Sequence, residues 1–113
     1  MENEKMNLSL IIDSLEDSKA KNIKAIDIHT LTTIAHYFII VSGTSVTHIK
    51  ALNDNLVEKL SENGIKPLRV EGYSHARWIL LDYGDVVVHI FHEEDREYYG
   101  LERLWQDGKP VNF

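Results

Sequence analysis

Six histidines in a chain of 113 residues are the first place to look for chemistry, because neutral imidazole is both a common metal ligand and a ready general base. His89-Ile90-Phe91-His92-Glu93 has the spacing of a metal-binding string. On a helix, residues three apart share a face and could hold one ion, whereas on a strand they point to opposite faces. Val86 to Phe91 is rich in β-branched residues and reads as a strand. That separates His89 from His92. His29, His36, His48 and His75 fall in different segments without a shared spacing. The expectation is no metal site and no bound cofactor.

Ser42-Gly43-Thr44-Ser45 is a second candidate, lying between a compact apolar run and an amphipathic one. Backbone amides and hydroxyls at such a turn can hold an anion. The motif lacks the spaced glycines and the lysine of a P-loop. It shares the Gly-Ser start of the nucleotidyltransferase fold, but those enzymes need an Asp-x-Asp pair to hold Mg²⁺, and the chain contains none. Capping of the next helix by Ser45 is the simpler reading. There is no Gly-x-Ser-x-Gly elbow and no cysteine, which removes thiolate ligands, disulfides and a cysteine nucleophile together. An enzyme has little to work with here.

Arg77-Trp78-Ile79-Leu80-Leu81-Asp82 is different: it is apolar on both faces of a strand. One face must meet helices. The other, bearing Trp78 and Leu80 beside Asp82, is either covered by the same chain or offered to a partner. A tryptophan at a polar rim is a common binding hot spot, so a protein-binding surface is expected on this strand.

The elements that must position these groups follow from periodicity. Leu8, Ile11, Ile12 and Leu15 fit the i, i+3, i+4, i+7 stripe of an amphipathic first helix. Asn22 to Ile28 alternates and suits a short strand, and Tyr37-Phe38-Ile39-Ile40-Val41 suits a buried one. Val46, Ile49, Leu52, Leu56 and Leu60 mark a second helix, started by Ser45 and stopped at Gly64. Leu68 to Glu71 is a brief strand. Arg77 to Asp82 and Val86 to Phe91 then form a tight hairpin with Tyr83 and Gly84 expected at its tip. Leu101, Leu104 and Trp105 mark one face of a closing helix. The order α-β-β-α-β-β-β-α implies an α/β domain with a mixed sheet of about five strands and flanking helices. The segment from Tyr37 to Val70 is long enough for a parallel crossover. Residues 1–107 are expected to form one domain and residues 108–113 a C-terminal tail.

Twelve basic and eighteen acidic side chains leave a net charge of −6, which argues against binding by neutralising nucleic-acid phosphates. The excess sits between Asp82 and Asp107, where eight acids face only Arg96 and Arg103, and the other ten acids and ten bases cancel. Such a segment either keeps a surface solvated or attracts a basic partner. No apolar run approaches the roughly 18 residues of a membrane span. The acidic start, Met1-Glu2-Asn3-Glu4, is unlike a basic leader, so a cytoplasmic protein without a membrane partner is expected.

Tyr37-Phe38-Ile39-Ile40-Val41-Ser42-Gly43-Thr44-Ser45, Val70-Glu71-Gly72, the string from Trp78 through Asp82-Tyr83-Gly84-Asp85 to Phe91, and Tyr99-Gly100-Leu101-Glu102-Arg103-Leu104-Trp105 together resemble the ribosomal silencing factor family, also called Iojap. The resemblance runs in order from about Leu8 to Asp107, with His36 where the family often has an aspartate. It implies a nucleotidyltransferase-like α/β fold without catalytic residues. It also implies a bacterial or organelle-derived translational repressor, not an enzyme, that binds the large ribosomal subunit through ribosomal protein L-fourteen. Occupying that surface would block joining of the small subunit sterically and lower translation when nutrients are scarce. A homodimer when free is implied as well. Carried onto this chain, the partner surface would be Trp78 to Asp85: Trp78 and Leu80 as apolar anchors, Tyr83 at the rim, Gly84 in the turn, and Asp82 and Asp85 facing basic side chains. The rivals are a nucleotide-binding or nucleotidyl-transferring enzyme using Ser42 to Ser45, and a homodimeric scaffold with no ribosomal role.

Overall fold

The computed structural model describes residues 2–111, with side chains from Asn7 onward. The first helix, α1 (Glu2–Asp17), buries Leu8, Ile11, Ile12 and Leu15 as its spacing requires. In the second, α2 (Val46–Glu62), the Ser45 hydroxyl accepts a bond from the His48 amide at 3.0 Å, and Ile49, Leu52, Leu56 and Leu60 face the core. That helix ends in a Schellman closure: the Gly64 amide donates to the Ser61 carbonyl and the Ile65 amide to the Leu60 carbonyl.

Between and after the helices lie β1 (Lys21–Asp27), β2 (Tyr37–Gly43), β3 (Arg69–Glu71), β4 (Trp78–Asp82), β5 (Val86–His92) and β6 (Lys109–Pro110). They form one mixed sheet in the order β3-β4-β5-β2-β1-β6. The one parallel pair among the described strands is β2 with β5, from Tyr37↔Val86 to Gly43↔His92. The strand after α2, β3, runs in the same direction as β2 but lies beyond β5 and β4 at the sheet edge. All seven residues of β5 are buried, so the strand is the axis of the fold.

Three sequence expectations change. The sheet has six strands because β6 pairs with β1 at Ile26↔Pro110 and Asp27↔Lys109; two residues are too few to show a period. That strand falls in the segment expected to be a tail, of which residues 112 and 113 lie outside the described residues. The hairpin tip is Gly84-Asp85 rather than Tyr83-Gly84, because the Tyr83 amide donates to the Val86 carbonyl at 2.9 Å and closes the ladder there. Gly84 has φ +89, as the first residue of a type II′ tip requires. The closing helix is two single turns, α3 (Arg96–Tyr99) and α4 (Leu101–Leu104), broken at Gly100 with φ +63. The break turns Leu104 outward, 73% exposed, while Leu101 and Trp105 stay half-buried.

The two faces of the sheet bury separate clusters. Ile39, Val41, Ile79, Leu81, Val88 and Ile90 pack under α1 and α2. Ile26, Phe38, Ile40, Val87 and Phe91 face the other way, toward α3 and α4.

Candidate partner-binding face

Strand alternation sorts β4 cleanly. Ile79 and Leu81 are fully buried on the helix side, and Trp78, Leu80 and Asp82 point to the opposite face, each half-buried. The short turns α3 and α4 cover that face from β1 as far as Trp78. Trp105 meets Phe38 edge-on at 5.2 Å, and the Trp78 ring lies 4.9 Å from both Phe91 and Tyr99. Beyond Trp78 no cover follows among the described elements. Leu80 and Asp82 therefore sit on a rim, with the edge strand β3 presenting Arg69 and Glu71 beside them.

Asp82 is held on two sides. Its Oδ1 accepts the Gly84 amide at 2.8 Å, and its Oδ2 lies 3.3 Å from Arg69 Nε. The first bond shapes the turn, and the second is to an exposed arginine that also reaches Glu71 at 3.3 Å. Asp85 uses its carbonyl to accept the amides of His36 and Tyr37, at 2.9 and 3.0 Å. This ties the hairpin tip to the loop before β2 and leaves the Asp85 carboxylate facing solvent. Tyr83 does not join the group. It packs against the helix-side cluster, its hydroxyl is buried without a partner, and burial pushes its pKa up to about 12.

Beneath Trp78 lies His89, which its sequence spacing offers as a metal ligand and not as a support for the indole. The indole Nε1 donates to His89 Nδ1 at 3.1 Å. His89 is 3% exposed, and burial pushes its pKa down to about 4, so the ring is neutral. The pairing Leu80↔His89 puts it on the diagonal from Trp78, two residues along the strand and on the same face. His92, on the other face, accepts the Glu94 amide at Nδ1. Among the described residues, no three His, Cys, Asp or Glu side chains group as metal ligands.

The acidic segment is partly neutralised from within. Arg77 grips Asp95 with a fork of 2.7 and 2.8 Å, and that hydrogen bond holds the Asp95 carboxyl below its usual range. Arg96 reaches Glu102 at 2.6 Å, and Lys24 reaches the same carboxylate at 3.0 Å. Burial alone would raise the Glu102 pKa, but the Arg96 and Lys24 bonds outweigh it and hold it down. Among the described residues, Glu93, Glu97 and Asp107 make no ion pair.

The Ser42 to Ser45 turn spends its polar groups on the fold. The Ser42 hydroxyl accepts from Arg96 Nη1 at 2.9 Å, and the Thr44 amide donates to His48 Nδ1 at 3.0 Å. The other His48 nitrogen, Nε2, donates to the Ser18 carbonyl at 2.9 Å. A Cβ on Gly43 would stand 2.7 Å from Ile49 Cγ1, so this glycine lets α2 approach the sheet. The cleft beside Ser42, about 400 Å³, is lined by Glu93, Glu97 and Glu102 as well as Arg96 and Arg103, a poor setting for phosphate.

A mixed sheet packed by helices on one face, with a tryptophan-bearing strand half-open on the other, is the architecture of a small α/β domain. Its sequence narrows the class. A family model described as "Ribosomal silencing factor during starvation" matches residues 1–113, and the chain belongs to that family. It is 41% identical over 104 residues to the "Ribosomal silencing factor RsfS" of Halalkalibacterium halodurans, covering 92% of this chain and 89% of the relative. It is 30% identical over 104 residues to "Mitochondrial assembly of ribosomal large subunit protein 1" of Mus musculus, covering 89% of this chain and 46% of the mouse protein. A solved structure from Chromobacterium violaceum superposes with a TM-score of 0.88 at 37% identity, covering 96% of this chain and 90% of that one.

Proposed function

We propose that this protein is a non-enzymatic translational repressor that binds the large ribosomal subunit and sterically blocks its association with the small subunit, lowering translation under nutrient limitation. The names of its relatives support the ribosomal part of this reading. The observation that carries it is the half-open β4 face, where an aromatic and an aliphatic side chain adjoin acidic groups. That combination suits a basic protein surface, and the partner we infer is ribosomal protein L-fourteen. Trp78 and Leu80 are the apolar anchors. Asp82 and Asp85 pair with lysine or arginine of the partner, and Gly84 allows the tip to approach closely. Tyr83, facing the helices, holds the hairpin from behind rather than touching the partner. The same surface serves a homodimer when no subunit is present, and the protein works in the bacterial cytoplasm.

Binding of the protein and its variants to purified large subunits tests this. Trp78→Ala is expected to lower the affinity by roughly two orders of magnitude, as for a central aromatic hot spot. Its circular-dichroism spectrum should remain that of a folded α/β protein. A folded Trp78→Ala protein that binds as tightly as the parent would overturn the assignment of this face.

A further inference from the structure

We propose that His89 is a positioning residue for partner binding: its buried imidazole fixes the orientation in which Trp78 is presented. This rests on the reading of the β4 face given above. Stacking on Phe91, at 4.9 Å and 29° between planes, and tilted contact with Tyr99 confine the plane of the indole. Neither contact stops a half-turn about the Cβ–Cγ bond, which keeps that plane but exchanges the two edges of the ring. The hydrogen bond from Nε1 to His89 Nδ1 does, and it is the one Trp78 side-chain bond among the described residues.

The cost of this arrangement identifies it as more than packing. With Nδ1 accepting, the proton of the neutral ring sits on Nε2, which is buried and has no partner. An unpaired buried N–H destabilises a fold. The place is the middle of a wholly buried strand, against Phe38 at 4.8 Å, where an apolar side chain would pack without penalty. Burial keeps the ring neutral, so Nδ1 stays free to accept across the ordinary pH range. Removing the imidazole exchanges one unpaired N–H, that of His89 Nε2, for another, that of Trp78 Nε1, so the fold should change little while the binding falls.

The test compares His89→Phe and His89→Asn with the parent, reading melting temperature, the NMR signal of the Trp78 indole N–H, and affinity for purified large subunits. His89→Phe is expected to melt close to the parent, to shift the indole signal, and to bind about tenfold more weakly. Asn Oδ1 can take the place of Nδ1, so His89→Asn should restore binding to within about threefold even if it melts lower. Should the phenyl ring not fit, His89→Leu makes the same comparison. Normal binding by His89→Phe or His89→Leu, alongside loss in Trp78→Ala, sinks this proposal and leaves the assignment of the face standing. Normal binding by Trp78→Ala sinks both. In the parent, a Trp78 indole proton that exchanges as fast as an exposed one would also overturn the proposal.

Discussion

Burial of His89 makes the stability of the fold depend on pH. The unfolded ring titrates near its ordinary value of 6.5, while the buried ring resists protonation until about 4. Between those values the unfolded chain binds the extra proton, so stability falls as pH drops through the window. The loss is at most about 3 kcal/mol. The depressed carboxyls of Asp95 and Glu102 act in the same direction at lower pH, since their pairs with Arg77 and with Arg96 and Lys24 are lost on protonation. Urea unfolding at a series of pH values should therefore show a slope from about 6.5 down to about 4 in the parent, and His89→Phe should flatten it. Tyr83 supplies a contrasting expectation. Its hydroxyl is buried and unpartnered, so Tyr83→Phe should leave the melting temperature unchanged or raise it. Subunit binding should be unaltered, because the ring faces α1 and α2. A large loss of affinity in that variant would put Tyr83 on the partner surface after all.

Among the elements, the β4–β5 hairpin carries the candidate face, and its tip demands a positive φ. Gly84 supplies +89, and Gly84→Ala is expected to cost about 1 kcal/mol or more in thermal unfolding. A Ser45→Ala substitution removes the cap of α2 and should cost a similar amount, about 1 kcal/mol, without touching subunit binding. Much of this level was legible in the sequence. The stripes Leu8 to Leu15 and Ile49 to Leu60 specify both long helices, and alternation places Trp78 and Leu80 opposite Ile79 and Leu81. A tip at Tyr83-Gly84 instead of Gly84-Asp85 shifts the register by two residues, which keeps every side chain on its correct face. It does change neighbours: the expected tip sets Trp78 directly opposite His89, whereas the observed one sets them on a diagonal. The cover of Trp78 by Tyr99 was not legible, because it depends on where the break at Gly100 sends the chain. Two-residue β6 leaves no period to read. Tyr83 follows the same alternation, which sets it on the side of Ile79 and Leu81; expecting it at the tip, outside the strand, removes that signal.

The whole molecule carries −6, all of it from the segment Asp82 to Asp107. The structure divides that excess into acids already satisfied, such as Asp95 and Glu102, and acids left to solvent, such as Glu93 and Glu97. On the proposed function, the second group would supply the long-range attraction to a basic protein. Rising ionic strength should slow association with the large subunit while changing dissociation little, and Glu93→Gln with Glu97→Gln should weaken that salt dependence. A rate that rises with salt would mean the acids oppose the encounter. The central claim is that occupancy of the large subunit by this protein excludes the small one. Gradient sedimentation of purified large and small subunits, mixed with and without the protein, tests it most directly. Separated subunits are expected, with the protein travelling on the large one. Joined ribosomes carrying the protein would contradict it.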